Sequence, residues 1–412
     1  MVGKYLLTRL IYFLKLPVVS VIFCLFYIVS KSKRIKLLKF DVSRIGHCAD
    51  AVEVNLHQID KTDICFVYLQ TPVANQYLTD LQIQVLKHHA RTFILWPNRY
   101  WASLIYRYQK QYQISISIEL PGRMAALSYK YYIQDRLVHI PDADISKGVR
   151  LLEKLGIPEG NNWVCLANRD AAYLKKSFPQ KDYSRHDYRD FPIGDMKLAA
   201  KYFSSKGLYV VRMGAAVEEG LELDDPKIID YATSTLRSGF LDVYLMANCS
   251  LFFGSNSGII SVSTLFRKPV SIVNVAPLEH MWRHKYILPL IFKRYYEPDS
   301  GKFLSIDEIY SRNLQCLSRT QDYQANNITV VNNSSREILD LAKESYLRVF
   351  EDWEPTKDFK QQSDRLHSLI SNKYSTSYSS TIDSRENMGS KFSYNFPDNL
   401  IGQKFLASID LY

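Results

Sequence analysis

The sequence predicts an α/β protein built on parallel strand-helix-strand crossovers. Three observations carry that expectation. Short apolar runs of strand length recur along the chain: Ile64–Leu69, Thr92–Leu95, Trp163–Ala167, Tyr209–Val211, Leu251–Phe253 and Pro269–Val275. Segments with helical spacing lie between several of them, such as Tyr77 to His89, with Leu78, Leu81, Val85 and Leu86 on one face. The length of 412 residues exceeds one ordinary core and implies two domains plus extra segments.

The most informative stretch is Phe240–Asn274. Leu241, Tyr244 and Leu245 recur at helical spacing, and Leu251–Phe253 is a buried-strand run ended by Gly254. Ser255, Asn256, Ser257 and Gly258 supply turn and N-cap residues. Ile259 to Phe266 then reads as a helix and Pro269 to Val275 as a second strand. Two strands joined this way form a right-handed parallel crossover. Ligands of open α/β sheets bind at the carboxyl ends of the strands, where Gly254–Gly258 would lie.

The remaining strand ends supply charge. Trp163–Ala167 ends in Asn168, Arg169 and Asp170; Tyr209–Val211 ends in Arg212, Met213 and Gly214. Alone, each Arg could be a surface ion pair of little worth. Together, Arg169, Arg212 and the Ser255–Gly258 loop at equivalent ends describe an anion pocket, with Asp170 fixing the direction of Arg169. The polar, aromatic piece Lys175–Asp190 reads as an insertion over that site. Met196–Lys206 reads as a helix with Gly207 as its C-cap. Asp242 complements a helix dipole by its position. The chain lacks GxGxxG, GxxxxGK[ST] and GxSxG signatures. Asp142 and Asp144 have the spacing of a paired-carboxylate metal site, but after Pro141 they read as a turn and N-cap, so no metal ligand is assigned. Arg44-Ile45-Gly46-His47 reads, on spacing alone, as a surface turn.

Net charge is +10, with Lys and Arg crowding the first forty residues. That distribution suits an anionic membrane surface or anionic ligand better than nucleic acid, for which no motif is present. Tyr5 to Val29 is nearly all apolar, interrupted by Arg9, Lys15 and Pro17, and a basic cluster follows to Lys39. A cleaved signal peptide would need a small-residue cleavage site, which is missing. A signal anchor and a monotopic interfacial anchor both remain open. The excess of Lys and Arg on the soluble side places the body at the cytoplasmic face of the membrane, peripheral or single-pass. Six cysteines without a CxxC pair read as reduced core thiols.

The run VRMG followed by DVYLMANCSLFFGSNSGIISVSTLFRKPV resembles a bacterial family of glycosyltransferases known mainly from sequence. RIGH near Arg44 and NRDAAY near Arg169 resemble its other two blocks, in the right order over residues 44 to 310. More distantly, the pattern is similar to the fucosyltransferase group of the GT-B class. The resemblance implies two Rossmann-like domains facing a cleft, with an N-terminal membrane-associated helix added here. By position, Arg169 would contact the donor β-phosphate and assist its departure. Asp242 would hold the donor loop or nucleoside; Ser255, Asn256, Ser257 and Gly258 would hold the diphosphate. Gly46 and His47 would come from the first domain across the cleft, with His47 as the candidate base. The His that stands two residues before the Arg in that pattern is Ala167 here. No cofactor or metal is implied.

The expected organisation is an anchor over 1–40, an acceptor domain over 41–155, a nucleotide-sugar domain over 156–350, and a connector and return segment over 351–412. In it the Ser/Tyr-rich piece Gln361–Met388 is flexible, and Asn395–Tyr412 either packs back on the first domain or is a disordered tail. The expected function is transfer of a sugar from a nucleotide-diphosphate sugar to a polysaccharide or glycolipid acceptor. A nucleotide-sugar epimerase of the same architecture and a non-catalytic sugar-nucleotide-binding protein are the alternatives.

Overall fold

The computed structural model describes residues 21, 35–70, 72–95, 117–120, 136–278, 286–370 and 401–412. The expected anchor segment, Val21 apart, and the Ser/Tyr-rich connector beyond residue 370 lie outside them. No helix among the described residues is long and apolar enough to cross a membrane. The chain divides into two units, residues 1–124 with 137–139, and residues 125–136 with 140–412.

The first unit holds a four-stranded parallel sheet in the order β3-β2-β1-β4, with β1 Ile35–Asp41, β2 Ile64–Gln70, β3 Arg91–Leu95 and β4 Ser117–Leu120. β1 begins inside the stretch assigned to the anchor, so the expected boundary at residue 40 is corrected. Lys36 and Lys39 belong to a central strand whose Leu38 and Phe40 are fully buried; their charge disguised it. The expected helix runs Gln76–His89. Asn75 caps it, its side chain accepting from the Leu78 N–H at 2.9 Å, and Leu78, Leu81 and Leu86 are buried.

The second unit holds a six-stranded sheet in the order β10-β9-β8-β5-β6-β7, parallel at every pairing. Its strands are β5 Trp163–Ala167, β6 Tyr209–Arg212, β7 Ile228–Ile229, β8 Leu251–Ser255, β9 Val270–Val275 and β10 Ile287–Phe292. β5, β8 and β9 are buried along their whole length. A parallel sheet covered on both faces needs such continuous apolar strands, which is why they stood out in the sequence. The chain winds outward from β5 through β6 and β7, then returns to β8 on the other side of β5. This is the doubly wound order, and its reversal opens a crevice between the ends of β5 and β8.

The two strands approach closely there. A Cβ on Gly254 would lie 2.4 Å from the Ala167 carbonyl oxygen. Gly254→Ala is therefore expected to cost about 1–3 kcal/mol, as overpacking does, read as a lower urea midpoint at unchanged slope.

Three further expectations change here. The helix Asp142–Lys154 belongs to the second unit, not the first. Gln361 to Ser368 is not a flexible connector but the end of the helix Lys357–Ser368. The described tail, residues 401–412, neither is disordered nor returns to the first domain: it packs on its own unit. Gly402 N–H donates to the Leu290 carbonyl at 2.9 Å, Lys404 pairs with Asp340 at 3.0 Å, and Phe405 packs edge-on against Phe292. Beyond β10 lies a small antiparallel sheet of β11 Arg294–Glu297, β12 Lys302–Phe303 and β13 Thr329–Val331. Among the described residues, Cys48, Cys65, Cys165, Cys249 and Cys316 form no disulfide.

Candidate functional site

At the end of β5 the chain turns through Asn168, Arg169 and Asp170. Asn168 pins the segment that returns over this end: its Nδ2 donates to the Phe191 carbonyl at 3.0 Å, and the Phe191 N–H donates to the Arg169 carbonyl at 3.1 Å. The pinned segment contains the short 3-10 helix Ser184–Arg189. Arg169 donates to Asp190 and, at 3.0 Å, to the His186 carbonyl. Arg189 donates to the backbone carbonyl of Asn256 in the β8 loop. Lys293, just past β10, donates to the Asp190 carbonyl at 2.9 Å.

Arg169 on the Asp190 carboxylate, Lys293 on the Asp190 carbonyl and Arg189 on the β8 loop therefore gather where strand order reverses. Lys293 is only 2% exposed. Burial, then repulsion from Arg169 and Arg189, pushes its ammonium down to about 7, against a smaller pull from Asp195. The local potential is positive and suited to an anion.

Sign follows for stability. A lysine depressed in the folded state binds fewer protons than in the unfolded state between about 7 and its ordinary value of 10.5. Stability should rise with pH across that window, and Lys293→Met should flatten the rise, measured by urea denaturation from pH 7 to 10.

The β8 loop differs from a bare helix-end anion site. The helix that follows is short, Ile260–Leu265. Backbone bonds already take the N–H groups of Ser257 (2.8 Å to Ser255), Ile260 (3.3 Å to Ser257) and Ser261 (3.3 Å to Gly258). Of the expected loop donors, the Ser257 N–H is thus taken within the turn, and the loop also offers polar side chains. Ser255 Oγ and Ser257 Oγ stand 3.5 Å apart. Asn256 is 2% exposed, and neither its Nδ2 nor its Oδ1 has a hydrogen-bond partner. A buried amide left open is a costly feature that a ligand can relieve.

Two assignments are corrected. Arg212 does not present its guanidinium to a ligand. It is fully buried, bonded to Asp230 at 3.2 Å and to Asn168 Oδ1 at 3.4 Å. Asp170 is not the group that orients Arg169; Asp190 is. Asp170 accepts instead from the Ala172 N–H at 3.0 Å and the Glu218 N–H at 3.1 Å. Asp242 has more than a dipole to serve: it takes hydrogen bonds from Tyr231 Oη at 2.8 Å and Arg237 at 2.9 Å, tying the 231–238 loop to its helix. Burial raises its carboxyl above the ordinary value despite those bonds.

In the first unit, the sheet order also reverses at β1, and β1 ends at Asp41. Arg44 to His47 is not a surface turn: Gly46, which is buried, and His47 lie in the first turn of the helix Ile45–Asn55. His47 Nδ1 lies 2.7 Å from Asp41 Oδ2. Asp41 also accepts from the Ser43 N–H (3.0 Å) and Oγ (2.6 Å). Burial opposes its ionisation, but the bonds from His47 and Ser43 outweigh it and hold the carboxyl near 2. In a neutral ring, a carboxylate on Nδ1 selects the tautomer whose Nε2 carries the lone pair, the form a general base needs.

Asp41, Arg189, Asp190 and Lys293 were not singled out from sequence. Arg189 and Asp190 stood inside the flagged insertion. Lys293 had one signal, a cation directly after a buried apolar run. Among the described residues no group of three or more His, Cys, Asp or Glu could hold a metal ion.

Fold and site define a parallel, doubly wound α/β protein with a cationic cluster at its switch point. No protein family and no curated protein matches the sequence. Among solved structures, the chain is similar to a family 9 glycosyl transferase from Veillonella parvula, at 10% identity over 76% of this chain and 98% of that one, TM-score 0.45. It is also similar to the E. coli ADP-heptose LPS heptosyltransferase II, at 12% identity over 76% and 99%, TM-score 0.40. A third is the E. coli heptosyltransferase WaaC with ADP, at 10% identity over 59% and 88%, TM-score 0.28. The fucosyltransferase group expected from sequence is not among these three.

Proposed function

We propose that this protein is a glycosyltransferase that moves a sugar from a nucleoside-diphosphate sugar to a polysaccharide or glycolipid acceptor in cell-surface glycan synthesis. The observation that carries the reading is the convergence of Arg169, Arg189 and Lys293 at the crevice between β5 and β8. Breaking the bond between the sugar carbon and the diphosphate oxygen leaves charge on the diphosphate. Fixed cations in a desolvated site stabilise that charge as it develops. The acceptor hydroxyl oxygen forms the new bond to the sugar carbon and gives its proton to a general base, a role for which the Asp41–His47 pair has the chemistry. The apolar, basic N-terminus would hold the enzyme at the cytoplasmic membrane surface beside a lipid-borne acceptor.

The test is a titration with ADP, GDP and UDP, followed by thermal melting and calorimetry. At least one should raise the melting temperature, because it binds the folded state. Arg189→Ala and Arg169→Gln should each weaken binding about 10- to 100-fold, the loss of one charged hydrogen bond of about 1.5–3 kcal/mol. Undiminished affinity in both variants would remove the site assignment.

A further inference from the structure

We propose that Lys293 is a direct phosphate ligand of this site and takes up a proton as the diphosphate binds. The identity of the anion rests on the glycosyltransferase reading; the role of Lys293 rests on its surroundings. The side chain is buried, and its one partner among the described residues is the Asp190 carbonyl at 2.9 Å. An ammonium has three N–H donors, so two are left open. The charged groups that face it are Arg169 from the end of β5, Arg189 and Asp190 from the pinned segment, and Asp195 from the turn Ile193–Met196. The Asp190 carboxylate is engaged by Arg169. Two like charges against the Asp195 carboxylate cannot support a buried ammonium.

A diphosphate placed among Arg169, Arg189 and Lys293 reverses that balance. Its oxygens accept the open N–H groups, and its charge favours the protonated amine. The ammonium, pushed down to about 7 when the site is empty, then returns toward its ordinary range. The proton comes from solvent, and no covalent bond changes. A lysine serving only as a strut for the Asp190 carbonyl would do so neutral and take up nothing.

The experiment is calorimetry of GDP, UDP and ADP binding at pH 8 in two buffers of different ionisation enthalpy. The wild type should take up on the order of one proton per site, and its affinity should fall about tenfold per pH unit above pH 8. Lys293→Met should bind weakly with no uptake. Lys293→Arg should bind with no uptake and with affinity flat from pH 7.5 to 9, because a guanidinium does not titrate there. Melting curves identify folded variants; if the Met variant does not fold, the Arg variant decides alone. Binding by wild type without uptake, or uptake that persists in either variant, overturns the role of Lys293 and leaves the glycosyltransferase reading standing. Uptake in wild type without sugar transfer supports Lys293 and overturns that reading. No binding of any of the three overturns both.

Discussion

Arg212→Leu is expected to destabilise the second unit by about 3 kcal/mol, the low end for breaking a buried ion pair. The low end applies because Asp230, its partner, keeps 21% side-chain exposure and the Leu221 N–H at 2.7 Å. Arg212 itself is fully buried at the end of β6. Removing it takes one donor from Asn168 Oδ1, and Asn168 pins the Phe191 carbonyl. Diphosphate affinity should therefore fall only a few-fold, through a looser Arg189–Asp190 segment. Arg212→Leu combined with Asp230→Asn should recover part of the stability, since it removes the orphaned charge. If Arg212 touched phosphate directly, the single variant would keep its urea midpoint and lose affinity by orders of magnitude. That pattern would sink the assignment made here.

Arg169 and Arg212 show why the sheet was readable and the site only partly so. β5, β8 and β9 announce themselves because a parallel sheet with both faces covered demands unbroken apolar runs. β1 escapes because Lys36 and Lys39 interrupt its run, although Leu38 and Phe40 are core residues. At a strand end, sequence places a charge but does not say which way it faces. Arg169 and Arg212 both read in sequence as strand-end charges, the first two positions past Ala167 and the second directly after Val211. One lies at the crevice beside Arg189 and Lys293; the other turns inward to Asp230, eighteen positions on in the chain. Asp190 meets Arg169 from twenty-one positions away, and Lys293 reaches Asp190 from more than a hundred. Such pairings are set by tertiary closure, and no local spacing encodes them. The Ser255–Gly258 loop was legible because it follows its strand at once. One of its backbone donors, the Ser257 N–H, is spent on a bond within the turn.

His47→Ala is expected to lower the turnover of sugar transfer by about 10²–10⁴, the range for loss of a general base, and to leave diphosphate binding unchanged. Binding is spared because Arg169, Arg189 and Lys293, the cations proposed to hold the diphosphate, lie in the second unit. The expectation rests on the Asp41–His47 pair. Asp41, held near 2, stays ionised throughout the working range and accepts the Nδ1 proton at 2.7 Å. That leaves the Nε2 lone pair on the 30%-exposed imidazole available. Asp41→Asn tests the pair without removing the ring. Its amide no longer supplies the negative charge that stabilises an imidazolium and can itself donate to Nδ1, so the tautomer turns over and turnover should fall comparably. The stability cost has its own pH signature. A carboxyl lowered by folding contributes stability fully above its ordinary value of 3.8, and loses it as pH falls through about 2. Asp41→Asn should therefore be less stable than wild type at pH 7 and should converge with it toward pH 2. Transfer assays with a radiolabelled donor, alongside GDP and UDP calorimetry, separate the roles. Full turnover in His47→Ala would show that another group takes the acceptor proton. Lost diphosphate binding in that variant would show that His47 serves the donor instead.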